Sequence, residues 1–379
     1  MVTSQSHYDH YSATLAQLAK QCRILTSLIG NPAFRSYNET STLVFDDQGN
    51  TLKTLTSKFT KDCNMYQLLK AVNNVVSLDK ELRELHYHEN ECTKISLSYN
   101  NADVYVLGQA SCDRLLQTHI PLVVSFLKTF PRTAGKTLLD TYYDLVTTLL
   151  QTLQQLAEAV KQSFDLTVQG QPRNQGLEQN ARSCAQKCWD ACKALREGPH
   201  TNQEAVRMIW QQHILPLVED AESELTEGLR PDTEVTNAVA DEDGWDLSGE
   251  NIESWPEEKK RLAQTIQRTV GVVVQLFRKL QTPCLQSPIR VSEDSKVWLD
   301  ELLTRGRAIS DQIDATVASL WEGDEMEVVQ SKWHQLRQQS VDIAHHVVMV
   351  QNLDRRFRKG LEAFVCDHSK PDTDKTEAE

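Results

Sequence analysis

Cys184, Cys188 and Cys192 in "SCAQKCWDACKAL" stand four residues apart, and thiols at regular spacing are what a zinc or redox centre would need. On a helix each step of four residues turns about 40°, so the three thiols line up along one face. A tetrahedral metal needs its sulfurs converging on one point, which a Cys-x-x-Cys turn provides and a ladder along a helix does not. Ala181, Ala185 and Leu195 extend the same apolar face, and small buried thiols are ordinary core residues. The spacing therefore predicts packing. "HYHENEC" offers His86, His88 and Cys92, but on a helix His86 and His88 diverge by about 200°, which leaves only His88 and Cys92 on one face. "PRTAGKTL" imitates a phosphate loop through Gly135, Lys136 and Thr137, yet Phe130 stands where that loop requires its first glycine. His345 and His346 lie beside "VVMV" in a helical pattern and read as one packed and one exposed. No nucleophile elbow, zincin helix or dinucleotide fingerprint occurs. The expectation is a non-enzymatic protein with no catalytic residues, no cofactor and no metal.

The elements around these residues are read from hydrophobic period. Helical spacing dominates the 379 residues, and 14 glycines with 11 prolines are too few for an all-β chain. Leu15, Leu18, Cys22, Leu25 and Leu28 form one stripe, and Met65, Leu68, Val72, Val75, Leu82 and Leu85 another. The residues between them read as a long irregular connection with a small hairpin around "DDQGN". Ser98 to Thr129 is predicted helical with a kink at Pro121. Leu139, Tyr142, Val146, Leu149, Leu153, Leu156 and Val160 alternate spacings of three and four. The flanking Tyr143, Leu145, Leu150, Ala157 and Ala159 are apolar as well, which favours a bundle helix over a two-stranded zipper.

"GQPRNQG" ends that helix and marks a domain boundary. Helices follow at Leu177 to Glu197 and Asn202 to Gly228, with Thr201 or Asn202 as cap and Glu204 in the first turn. Others are predicted at Glu257 to Gln281, Glu293 to Leu320 and Glu325 to Val365. The expected architecture is all-α: two antiparallel multi-helix bundles, residues 1–170 and 171–366, with an acidic loop at 229–256 and a disordered tail at 367–379.

Charge narrows the partners. A net charge of -13 and a pI near 5.4 repel a phosphate backbone, so no direct nucleic-acid contact is expected. The one basic run, "RRFRK" from Arg355 to Lys359, reads as cations near a helix C-terminus. "IPLVVSFL" and "VGVVVQLF" fall far short of the ~20 apolar residues that cross a bilayer, so no membrane partner is expected. Nine cysteines and a start without a basic and apolar run suggest reduced thiols inside a cell. From Pro231 to Glu258 the chain carries ten carboxylates and neither Lys nor Arg, which predicts an extended, solvated segment. Within it Asp241, Glu242, Asp243, Trp245, Asp246 and Trp255 are the candidate partner-binding residues. Aromatics can anchor in a partner's groove while carboxylates steer toward basic surfaces.

Two stretches, "CWDACKALREGPHTNQEAV" and "ILPLVEDAESELTEGL", carry Trp189, Cys192, Pro199, Asn202, Ala205, Val218, Asp220, Ala221, Glu224 and Leu225. With Pro131, Gly135, Thr137 and Leu138 upstream and the acidic insert downstream, they resemble the cyclin-D-binding protein family, the cyclin-D-interacting helix-loop-helix proteins. The resemblance spans about Leu97 to Leu280. It implies packed helical bundles without catalytic activity that bind cyclins of the D type or helix-loop-helix regulators. It further implies restraint of cell-cycle progression and transcription, in cytoplasm and nucleus. Members lack a basic DNA-contacting region, and no basic helix precedes a helix pair here. The rival expectation is a structural adaptor of the vinculin or catenin type, which also consists of long-helix bundles.

Overall fold

The computed structural model describes residues 4–31, 92, 94–95, 105–130, 134–168, 175–230, 255–287, 289, 291, 294–351 and 353–368. All regular elements among the described residues are helical, as the period predicts. The expected hairpin at "DDQGN", the stripe from Met65 to Leu85, His86, His88 and the end of the tail lie outside them. Contacts divide the chain into two compact units, Met1–Ala134 with Leu138–His200, and Gly135–Thr137 with Thr201–Glu379.

In the first unit lie α1 (Ser4–Gly30), α2 (Tyr105–Arg114), α3 (Ile120–Thr129), α4 (Lys136–Val168, whose first two residues group with the second unit) and α5 (Gln175–Arg196). Its core is built on α4, where Tyr142, Val146, Leu149, Leu153, Leu156 and Val160 are buried, and so are Tyr143, Leu150, Ala157 and Ala159. Such a face is too wide for a two-stranded seam and suits a helix covered by several neighbours. Leu15, Leu18, Cys22, Leu25 and Leu28 of α1 are buried likewise, and the Tyr11 ring meets Phe164 edge-on at 5.1 Å. The composition-based boundary near residue 170 does not coincide with the contact division. Helix α5 goes with the first unit, where its Cys188 and Cys192 lie against the Cys92 thiol.

The second unit contains α6 (Asn202–Ile209), α7 (Leu215–Gly228), α8 (Glu257–Leu280), α9 (Ser295–Trp321), α10 (Met326–Val348) and α11 (Arg355–His368). The Thr201 hydroxyl accepts from the Glu204 N–H at 3.1 Å, the cap expected from sequence. Helices α9 and α10 are locked by a stacked Trp298 and His346, 4.7 Å between centroids and 6° from parallel. The Trp298 indole donates to the His346 carbonyl at 3.2 Å, and His346 Nε2 lies 3.0 Å from the Trp298 carbonyl. Asp300 forms a second polar knot. Its carboxylate accepts from the N–H groups of Lys136 and Thr137 and from Asn202 Nδ2, each at 3.0 Å, and from the Thr137 hydroxyl at 2.6 Å.

Two departures from the periodic reading have local causes. Proline lacks a donor and clashes with the carbonyl four residues back, so it should break a helix. Here Pro121 and Pro216 each follow a π-helical turn, Leu115–His119 and Trp210–Ile214, and Pro283 lies inside a third, Gln281–Gln286. A wider turn moves the offending carbonyl aside, and the run expected to kink at Pro121 stays helical through it. The expected helix from Glu325 to Val365 is instead two. After Val348 the chain turns, with the Val350 N–H on the Val347 carbonyl at 3.0 Å, and Asp354 then caps α11. "RRFRK" thus opens a helix, correcting its expected place near a helix C-terminus.

Candidate protein-interaction surfaces

Trp255 was expected in an extended docking segment, and the structure corrects this: it is 4% exposed and belongs to the core of the second unit. Its ring lies 5.2 Å from that of Trp321, and the Lys259 ammonium sits 3.9 Å over its face. Burying an indole removes about 150–250 Å² from water, which outweighs the solvation of one residue at the edge of an acidic stretch. A sequence signal did exist. Trp255 immediately precedes the N-cap Pro256 of α8, the position where an apolar residue staples a helix start. On the other side of the acidic stretch, a Cβ on Gly228 would come within 2.6 Å of the Trp321 ring. Both described flanks of residues 231–254 therefore rest on Trp321. Asp241, Glu242, Asp243, Trp245 and Asp246 lie outside the described residues.

An open groove of about 760 Å³ runs between α8, the π turn after it, and α11. Val272 and Leu276 of α8 face Phe357, Leu361 and Phe364 of α11 across it. Lys279 and Arg356 stand on its walls. Asp354 also lines it with its carboxylate engaged, accepting from the N–H groups of Arg356 at 2.8 Å and Phe357 at 3.1 Å. Sequence reasoning did not find this groove, since it is made by two helices far apart in the chain. His345 is exposed on α10 and is not among its lining residues, and His346 is packed against Trp298, the division expected of the pair.

The cysteine ladder packs as its spacing predicts, with Cys184, Cys188 and Cys192 all buried on α5. Cys92 joins them, and hydrogen bonding to Cys188 and Cys192, with burial, pushes its thiol pKa well above the ordinary value. Burial pushes Cys22 and Cys284 up to about 12. Such thiols stay protonated and are poor nucleophiles or metal ligands. Among the described residues no group of three or more His, Cys, Asp or Glu is arranged to hold a metal ion, and no helix is long and apolar enough to cross a membrane.

Residues 81–230 match the family model described as Grap2 and cyclin-D-interacting, N-terminal. The match covers less than half of the chain, and all the residues from Pro131 to Leu225 that carry the resemblance lie within it. It ends before the acidic stretch and α8, which the resemblance had included. No curated protein matches the chain.

Proposed function

We propose, from the premise that residues 81–230 belong to the Grap2 and cyclin-D-interacting family, that this chain is a non-enzymatic regulator. It binds a cyclin of the D type or a helix-loop-helix regulator, and restrains cell-cycle progression by occupying the partner's surface. The family match carries this reading. Within the match, Cys192, Ala205, Val218, Ala221 and Leu225 are buried, while Asp220 and Glu224 are exposed, as suits a scaffold that presents polar surface. The groove between α8 and α11 combines an apolar floor with isolated charges, a pattern suited to docking a polypeptide more than to acid–base catalysis. The acidic stretch, with Asp241, Glu242, Asp243, Trp245 and Asp246, steers and anchors partners, and Trp255 fixes its base on the second unit. The protein works in cytoplasm and nucleus, with no direct contact to nucleic acid or membrane.

Purified full chain and a purified D-type cyclin test this directly by co-precipitation and analytical size exclusion. A stable complex is expected, weakened by Trp245→Ala. Absence of any complex in a purified system would remove the cyclin-binding reading. Co-sedimentation with actin filaments would instead favour the structural adaptor.

A further inference from the structure

We propose that the groove between α8 and α11 docks an acidic amphipathic helix of a partner protein. This deepens the binding reading above and rests on the chain being a protein-interaction scaffold. Three observations point to the same occupant.

The first is the shape of the apolar surface. Val272 and Leu276 are spaced i, i+4 on α8, and Phe357, Leu361 and Phe364 are spaced i, i+4, i+7 on α11. Each helix thus presents a stripe, and two facing stripes make the trough into which a third helix packs its own. Leu276 and Leu361 form the buried floor, while Val272 is 40% exposed and both phenylalanines are half-buried. The α11 stripe extends about 10 Å along the axis, room for two turns of a partner helix with anchors at i, i+3 or i+4, and i+7.

Charge is the second. Lys279 and Arg356 on the walls make no ion pair among the described residues, and Arg355 and Lys359 are exposed beside them. This basic cluster sits in a chain whose net charge is -13. Arg355 and Arg356 also occupy the first turn of α11, the positive end of the helix dipole, where each cation costs about 0.3–1 kcal/mol. Asp354, the carboxylate among the lining residues, is already engaged as the cap. Carboxylates on a partner helix would relieve this repulsion, whereas a basic or phosphate-free apolar helix would meet it uncompensated.

Third, Gly360 lies in the interior of α11 and lines the groove, and a Cβ built there would meet nothing within 4 Å. Glycine inside a helix costs about 1 kcal/mol relative to alanine. Packing among the described residues gives no reason for it, but close approach of a second backbone does.

The test uses the full chain and a fluorescein-labelled peptide of about 14 residues, four helical turns, with Leu at i, i+4, i+7 and Glu on the flanks. The same peptide with Lys for Glu, and a scrambled one, serve as comparisons. Anisotropy titrations should show the Glu peptide binding, more weakly at about 300 mM than at about 50 mM salt. Gly360→Leu puts a side chain into the groove from a position where a Cβ meets nothing within 4 Å, and Lys279→Glu with Arg356→Glu reverses the charge of its lining. Each should weaken binding by about tenfold or more without lowering the unfolding midpoint. Leu217→Ala, at a 60% exposed position on α7, should leave binding unchanged. Equal binding of the Glu, Lys and scrambled peptides, or full binding by Gly360→Leu, overturns the proposal. So does binding that emerges only when residues 231–254 are removed, which would make this chain's own acidic stretch the occupant. A concentration-dependent dimer lost in Gly360→Leu would assign the groove to a second copy, and also overturns it. If Gly360→Leu still binds the cyclin, the groove assignment fails alone; peptide binding without cyclin binding sinks only the cyclin reading.

Discussion

Gly306→Ala should destabilise the second unit even though alanine is the better helix former. Gly306 lies within α9 against Trp210, and an alanine Cβ would sit 2.5 Å from Cζ3, 3.0 Å from Cη2 and 3.3 Å from Cε3 of that indole. Carbon atoms pack at about 3.5–4.0 Å, so the ring must retreat by about 1 Å. It has little room to do so. Trp210 is fully buried, and the Phe277 ring stands 4.7 Å from it. Overpacking of this kind costs about 1–3 kcal/mol, against a helix-propensity gain of about 1 kcal/mol, for a net loss of about 1 kcal/mol. Gly360→Ala on α11 meets no atom within 4 Å and should show the propensity gain alone. Urea unfolding followed by tryptophan fluorescence measures both. In a Trp210→Leu background the clash is gone, so Gly306→Ala should there become neutral or stabilising. If Gly306→Ala raised the midpoint as much as Gly360→Ala, the packing account of this glycine would be wrong.

Asp300→Ala strips the acceptor from two backbone N–H groups, the Thr137 hydroxyl and the Asn202 amide, and should cost about 3 kcal/mol in the same unfolding assay. The thiols of Cys22 and Cys284, at about 12 in the fold against an ordinary 9.0, predict an alkaline weakening. Their stabilisation is complete below the unfolded value and fades as pH rises from 9.0 toward about 12, because the unfolded thiols ionise first. Unfolding midpoints across that range should fall, less steeply in Cys22→Ala and Cys284→Ala. Trp255→Ala should cost about 3–5 kcal/mol of stability, whereas Trp245→Ala should leave the midpoint unchanged and lower only cyclin recovery.

Sequence by itself determined the helical class, most helix positions and the role of the cysteines. Helix α5 runs Gln175–Arg196 where Leu177 to Glu197 was read, and the α4 face is buried residue for residue, save Leu139 and Leu145, which are half-buried. These properties are local. Apolar spacing along one helix reports which side is covered, and a four-residue ladder cannot converge on a metal wherever the helix packs. Tertiary structure alone decided what crosses between elements. Trp255 is in the core because Trp321 and Lys259 receive it, and "RRFRK" lies at a helix start because the chain turns after Val348. The groove exists because α8 and α11, distant in the chain, bring two half-covered stripes face to face. A periodic pattern shows that a face must be covered; which face covers it is set by packing and loop geometry, which leave no period to read.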